Sequence, residues 1–123
     1  MRLAMMTTAL SAVLLMGASA VQETTLTGMV IDNLSIEQGG ILKMDDPEAA
    51  IAQLTPADIA NEQSYQSGYA LVRGKRAIKF DKASNKMVLD YLRSDGATLS
   101  VRVTGTQGPN GFVLKEIRPA AQR

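Results

Sequence analysis

Asp32 and Ser35 are the first side chains in the sequence whose types and spacing could support a reaction. An apolar, strand-like run ends at Asp32, and a polar stretch that contains Ser35 follows it. A serine nucleophile of the Ser-His-Asp type needs a histidine base, and the chain of 123 residues contains no histidine. At the end of a strand, Asp and Ser side chains more commonly bond backbone N–H groups that the sheet no longer pairs. We therefore expect Asp32 to be structural and Ser35 to be a loop residue without a catalytic role.

Metal chemistry is restricted by the same composition. The usual zinc sites depend on His and Cys ligands, and the sequence contains neither residue. Calcium could take oxygen ligands from Asp45, Asp46 and Glu48, but their spacing departs from the D-x-D-x-D-G loop, and helix capping explains Asp46. We expect no catalytic residue, no cofactor and no metal ion. The alternative is a hydrolase-like enzyme of the cell envelope, in which Asp32 and a second carboxylate such as Asp81 act as acid and base.

A second group combines basic and aromatic side chains. The turn near residue 74 is surrounded by Arg73, Lys75 and Arg76, with aromatic residues at positions 69 and 80. This combination is typical of oligonucleotide-binding faces, where aromatic rings stack bases over a basic groove. The alternation of side chains along the strand places Phe80 in the predicted core, and the N-terminal export signal argues against nucleic acid as a partner. We therefore favour a solvated turn. The candidate ligand face of the chain comprises Asp32, Ser35, Tyr65, Tyr69, Arg73, Lys75 and Arg76.

The first twenty residues have the composition of a secretory signal peptide. Arg2 gives a basic start, an apolar run follows, and Gly17-Ala18-Ser19-Ala20 supplies the small residues that signal peptidase reads. We expect removal of residues 1–20, a single mature domain of residues 21–123, and a periplasmic or secreted location without a stable membrane anchor. The alternative is that Leu3–Val21 is retained as an anchor, because it is nearly as long as the roughly 20 residues that span a bilayer.

Charge is divided unevenly along the expected mature domain. Residues 21–66 contain eight acidic side chains and Lys43 as their one basic side chain, whereas residues 67–123 contain 11 basic and 4 acidic side chains. The domain as a whole is formally neutral, which makes no general case for nucleic acid or membranes as partners. We favour an acidic segment held against a basic sheet over a field that steers a charged ligand.

Alternating apolar residues predict five strands. Gly28 marks a bulge or sharp bend in the first strand, and Gly74-Lys75 forms a tight hairpin connection. The predicted strands are Thr24–Asp32, Gly68–Arg73, Arg76–Asp81, Thr98–Thr104 and Gly111–Arg118. The predicted core residues are Leu71, Ile78, Phe80, Leu99, Val101 and Val103.

Capping residues predict the helices. Asp46-Pro47 and Thr55-Pro56 are typical helix starts, and Ser84 is the expected cap of a longer helix. The predicted helices lie near Pro47–Leu54, near Pro56–Glu62 and from about Asn85 to Arg93. The stretch from Ser35 to Gly40 is expected to be a polar loop.

The order of these elements predicts a fold that is mainly β with some α. One helix lies between strands three and four, and a short helical insert lies between strands one and two. This is the order of an OB-like, five-stranded, partly open barrel. An α+β sandwich, with the longer helix on one face of the sheet, fits the same order.

Short motifs spread over the mature chain resemble a known group. They are T-L-T-G-x-V-x-D-N at Thr25–Asn33, S-G-Y-x-L-V at Ser67–Val72, and V-x-V-T-G-T at Val101–Thr106. The chain is similar in these motifs to a loose group of small exported bacterial proteins with an OB-like fold and uncharacterised function. The resemblance implies cysteines at position 35 and just before S-G-Y, where this chain has Ser35 and Ser64-Tyr65-Gln66-Ser67. Thiol redox or soft-metal chemistry of such relatives would therefore be lost here.

These observations together favour binding over catalysis. We expect an exported, non-enzymatic binding or accessory module, whose partner is a small ligand or a protein of the cell envelope. The expected binding surface is the barrel face together with the segment from Ser35 to Gln66.

Overall fold

Residues 22–120, which the computed structural model describes, form one antiparallel sheet of five strands with several helices, an α+β arrangement. The strands are β1 Thr24–Asp32, β2 Tyr69–Arg73, β3 Arg76–Lys79, β4 Ser100–Gly108 and β5 Gly111–Pro119. The helices are α1 Asn33–Glu37, α2 Pro47–Ile51, α3 Pro56–Ile59, α4 Glu62–Ser67 and α5 Lys82–Leu92, with a 3₁₀ turn at Ile41–Lys43. The signal peptide predicted for residues 1–20 lies outside the described part of the chain. Between residues 22 and 120, no helix is long and apolar enough to cross a membrane.

The sheet order is β3-β2-β1-β4-β5, with β1 at the centre. The first part of β1 pairs with β4, from Thr24 to Met29, and its last part pairs with β2, from Met29 to Asp32. Gly28 lies where β1 passes from one partner to the other. A Cβ at this glycine would lie 2.6 Å from the carbonyl oxygen of Val72, so no larger residue fits without a shift of the backbone. Glycine is thus needed at position 28 because the backbone of β2 comes close where β1 changes partners.

The two edge strands meet without closing the sheet. In the described chain, one isolated parallel bridge joins Phe80, after β3, to Phe112 in β5. The backbone N–H of Asp81 donates to the carbonyl oxygen of Phe112 at 3.0 Å, and the two phenylalanine rings pack edge to face with centroids 6.2 Å apart. The contact therefore supports the edges at a single point.

Both faces of the central strand are buried. Met29, Val30 and Ile31 are all buried, although successive strand residues point to opposite faces. The helix α2 contacts β1 and β2, and its Ile51 is fully buried. The buried residues of β1, of the insert and of α5 belong to one hydrophobic core, in which α5 packs against β5. The helical insert thus contributes directly to the core of the domain.

The predicted core is mostly confirmed. Ile78 lies nearer the edge of the core, partly exposed, and packs against it. The predicted core residues that are buried are Leu71, Phe80, Leu99, Val101 and Val103.

The start of α5 differs from the prediction. The helix begins at Lys82, because Asp81 is the cap and its Oδ1 accepts from the backbone N–H of Ser84 at 2.9 Å. Ser84, the predicted cap, is buried in the first turn, where its Oγ accepts from the backbone N–H of Leu114 at 2.7 Å. Asp and Ser can both cap a helix. The end of β3 places Asp81 at the cap position and leaves Ser84 to satisfy a donor of β5.

The insert between β1 and β2 is more helical than predicted. Ser35, predicted to be a loop residue, lies in α1, and the helix α4 was not predicted. Neither helix carries a clear apolar stripe, which is the main sequence signal for a helix. The predicted starts of α2 and α3 are confirmed: Asp46 accepts from the N–H of Ala49 at 3.1 Å, and Asp58 accepts from the N–H of Thr55 at 2.7 Å.

Candidate functional site

Asp32 joins the end of β1 to two helices. Its Oδ1 accepts from the backbone N–H of Ser35 at 3.3 Å and caps α1, which is the local bond predicted for a carboxylate at a strand end. Its Oδ2 accepts from the hydroxyl of Ser64 in α4 at 2.5 Å. The side chain is 5% exposed. Because both oxygens have donors and solvent is excluded, Asp32 positions α1 and α4.

Tyr69 pairs with Asp32 in the register of β1 and β2, but it does not present its ring to a ligand. The residue is fully buried, and its hydroxyl donates to the carbonyl oxygen of Ile59 at 2.7 Å. Burial, and then the negative charge of Asp32, raises the pKa of Tyr69 to about 12. Tyr69 therefore stays neutral and belongs to the core.

Two asparagine amides approach the chain at Gly68, between α4 and β2. A Cβ at this glycine would lie 2.9 Å from Nδ2 of Asn33 and 3.0 Å from Nδ2 of Asn85. The φ angle of Gly68 is +87°, a conformation that strains residues with side chains. Glycine is therefore required on two grounds, since both the backbone conformation and the two amides exclude a side chain.

The two amides differ in their hydrogen bonds. Asn85 accepts from the backbone N–H of Tyr69 through Oδ1 at 2.9 Å. Asn33 donates through Nδ2 to the carbonyl oxygen of Ser67 at 2.9 Å, and its Oδ1 is buried without a hydrogen-bond partner among residues 22–120. A buried acceptor without a partner costs about 1–3 kcal/mol. Asn33 is thus a buried group with unused hydrogen-bonding capacity.

A cleft of about 380 Å³ opens beside Asn85, between α4 and α5. We call it the Asn85 cleft, and it is lined by Tyr65, Gln66, Lys82 and Asn85. Tyr65 is the one residue of the predicted ligand face in this lining. The lining supplies a phenol, two amides and an ammonium group, which are mostly hydrogen-bond donors.

The basic part of the predicted ligand face lies elsewhere. Arg73, Lys75 and Arg76 are exposed at the β2–β3 turn, whereas Tyr69 begins β2 at its other end. The four residue steps from Tyr69 to Arg73 span about 13 Å in a strand. The structure therefore divides the predicted face into two regions: Asp32, Ser35, Tyr65 and Tyr69 at one end of β2, and the basic residues at the other.

The acidic insert contacts the basic part of the sheet, which is the arrangement that the charge distribution favoured. Glu37 lies 3.7 Å from the ammonium group of Lys79, and Oε2 of Glu48 accepts from the backbone N–H of Gly74 at 2.7 Å. Both side chains of the ion pair are more than half exposed, so this pair contributes at most about 1 kcal/mol. These contacts orient the insert more than they stabilise it.

The two carboxylates of the hydrolase alternative have other roles. Asp32 is bonded to Ser35 and Ser64, and Asp81 caps α5. Neither acid lines the Asn85 cleft. Within residues 22–120, no cluster of three or more Asp or Glu residues is placed to hold a metal ion. The geometry gives no specific support to acid–base catalysis by this pair.

Sequence reasoning missed Asn33, Lys82 and Asn85 as candidate site residues. They lie on β1–α1 and α5, and their proximity depends on contacts between segments about fifty residues apart in the chain. The motifs D-N and S-G-Y contain Asn33 and Gly68, and these motifs are the sequence signal that points to this region. Lys82 and Asn85 carry no such signal.

The Asn85 cleft and the β2–β3 turn thus each combine a concavity with charged side chains in its lining. A scan against models of protein families, a search of curated proteins and a search of solved structures give no match to this chain.

Proposed function

We propose that this chain is an exported, non-enzymatic module that binds a small polar ligand in the Asn85 cleft. The observation that carries the proposal is the cleft of about 380 Å³ between α4 and α5, whose lining by Tyr65, Gln66, Lys82 and Asn85 combines a phenol, two amides and an ammonium group. Export is inferred from the signal-like composition of residues 1–20.

The cleft is already organised for binding. The amide of Asn85 is held in place by the hydrogen bond that its Oδ1 accepts from the backbone N–H of Tyr69 at 2.9 Å. Lys82, in the first turn of α5, adds a positive charge. Groups held in place before binding lose little entropy when a ligand arrives. These donors suit a ligand that carries acceptor oxygens, such as a carboxylate or a carbonyl group.

Binding is favoured over catalysis by the types of side chain in the lining. The cleft is lined by no carboxylate, and the chain contains no imidazole or thiol. Histidine and carboxylates are the usual general acids and bases; Lys82 and Tyr65 are the titratable groups of the lining and can serve here as hydrogen-bond donors. The lining instead resembles that of a recognition site, with a few polar groups around a small concavity.

We also infer that the sheet is an OB-like, partly open barrel. The support is the strand order, the division of β1 between β2 and β4, the position of α5 between β3 and β4, and the bridge from Phe80 to Phe112. An α+β sandwich is the alternative. Nuclear Overhauser effects between several residues of β3 and β5 beyond this bridge would support the barrel, and their absence would favour the sandwich.

The binding function is tested by recovery of the ligand. The protein is purified from the periplasm and analysed by native mass spectrometry, with Lys82→Gln and Tyr65→Phe beside the wild type. We expect a retained small molecule that both variants lose, because Lys82→Gln removes the positive charge of the cleft and Tyr65→Phe removes the phenol donor. Lys43→Gln removes an exposed lysine of the insert and serves as the control that should retain it. Retention by all four proteins, or by none, would contradict the proposal.

A further inference from the structure

Arg73 and Arg76 lie directly opposite each other on the β2–β3 hairpin. Residues paired in this way point to the same face of a sheet, and like charges placed opposite each other are destabilising. Leu71 and Ile78, two positions further along, form the next pair on that face. On this face of the hairpin, the pair of Leu71 and Ile78 is apolar, and the next pair, Arg73 and Arg76, carries two guanidinium groups.

These two arginines have no carboxylate partner among residues 22–120. The ion pairs of that part of the chain involve Lys79, Lys86, Lys115 and Arg118. Glu48 reaches the turn, but it bonds the backbone N–H of Gly74 and neither arginine. Lys75 adds a third positive charge within the turn itself. Both arginines are exposed, so solvent screens part of their repulsion, and a bound anion would relieve the remainder.

Arg73 is held in place before any ligand binds. Its Nε donates to the carbonyl oxygen of Thr27 at 3.1 Å, and its Cγ would lie 2.9 Å from a Cβ at Gly28. The stem of the arginine therefore lies across the glycine of β1. The bond through Nε leaves the two terminal NH₂ groups as donors for a ligand.

The arginines also line a cavity. It has a volume of about 360 Å³ and is lined by Arg73, Arg76 and Ile78. This is near the lower end of the roughly 300–1,000 Å³ that small-molecule sites occupy. The fork of a guanidinium group matches the oxygens of carboxylates and phosphates. Three positive charges favour the doubly charged phosphate, and the Ile78 wall favours a ligand with a small apolar part.

We propose that this cavity binds a small organic phosphate monoester, with the phosphate between Arg73 and Arg76 and the apolar group against Ile78. The site lies at the opposite end of β2 from the Asn85 cleft. It is therefore independent of the proposed function, and its variants do not touch that cleft.

The probe for this site is phenyl phosphate, titrated calorimetrically into the purified protein at low ionic strength. We expect saturable binding that is tighter than for inorganic phosphate and that weakens with added salt. Arg76→Gln should weaken it about tenfold or more, because a charge-assisted bond is lost. Arg118→Gln, which removes an exposed arginine of β5, should change the affinity less than about twofold.

Stability separates a binding role of Arg76 from a structural one. If Arg76 binds the phosphate and only repels Arg73 in the free protein, Arg76→Gln should raise the urea midpoint of the free protein while phenyl phosphate binding is lost. Loss of binding together with a lower midpoint would indicate a structural role and overturn the assignment. A variant that binds phenyl phosphate as the wild type does would overturn the site. Equal binding of uncharged benzyl alcohol, or binding to phosphatidic acid vesicles without binding of phenyl phosphate, would also overturn it.

Discussion

The hydroxyl of Ser64 donates a 2.5 Å hydrogen bond to Oδ2 of Asp32 and joins α4 to the end of the central strand. Both residues are buried, and the sequence separates them by the whole helical insert. A neutral donor bonded to a carboxylate in a buried site forms one of the stronger hydrogen bonds in a protein. This bond therefore holds the insert closed against the sheet.

Replacement of Ser64 tests the strength of that bond. Ser64→Ala should lower the free energy of unfolding by about 1.5–3 kcal/mol, because a carboxylate loses a donor that water cannot replace. Ser35→Ala is the matched control, with an expected change within about 0.5 kcal/mol, since the cap uses its backbone N–H. Urea unfolding of both variants measures the difference. Equal effects of the two substitutions would contradict the assignment.

Replacement of Asp32 by asparagine should destabilise the protein less than replacement by alanine. In Asp32→Asn one oxygen still accepts from the N–H of Ser35, and the hydroxyl of Ser64 can turn to accept from the new NH₂ group, so the expected cost is below about 1 kcal/mol. Asp32→Ala leaves both donors without a partner and should cost about 1–3 kcal/mol. Urea midpoints of the two variants provide the measurement. An asparagine variant as unstable as the alanine variant would show that the charge itself is required.

Phe80 should be among the most sensitive core positions. It is 5% exposed, and its ring packs edge to face on Phe112 where the sheet edges meet. Phe80→Ala should lower the free energy of unfolding by about 3–5 kcal/mol through the cavity that it leaves. Val113→Ala, at a residue of β5 that is 42% exposed, should cost less than about 1 kcal/mol. A loss below about 1 kcal/mol for Phe80→Ala would contradict its place in the core.

Tyr69 should make the protein less stable as the pH rises from about 10 to about 12. Its pKa is raised from 10.0 to about 12, so the unfolded chain gives up the phenol proton before the folded chain does. The contribution is fully present below the unfolded pKa and is lost as the pH approaches the folded pKa. Urea unfolding of the wild type and Tyr69→Phe over this range isolates it. The same slope in both proteins would refute the assignment.

Export should yield a chain that begins at Val21, because the A-x-A pattern ends at Ala20. Intact-mass analysis of periplasmic or secreted material measures the first residue directly. A chain that keeps Met1 and remains in the membrane fraction would favour the anchor. Replacement of Ala18 and Ala20 by larger residues should block cleavage and serves as the control.

The sequence by itself determined the local features of this fold. The bounds of β1, the hairpin turn at Gly74-Lys75 and the helix starts at Asp46-Pro47 and Thr55-Pro56 follow from contacts between residues a few positions apart. The ends of β3 and β4 differ from the prediction, because they depend on pairing with strands distant in the chain. Side-chain alternation and capping are local effects, so a single sequence carries them. The helices α1 and α4 escaped prediction because they depend on docking against the sheet more than on their own apolar pattern.

The tertiary structure decided which side chains meet. Strand register brings Tyr69 beside Asp32 and carries Arg73 to the far end of β2, so the predicted ligand face is divided. The fold also brings Asn33 to Gly68 and Asn85, although they come from three separate segments. Such contacts depend on how β1, α4 and α5 pack together. The physical reason is that register and packing minimise the free energy of the whole domain, and no short stretch of sequence contains that information.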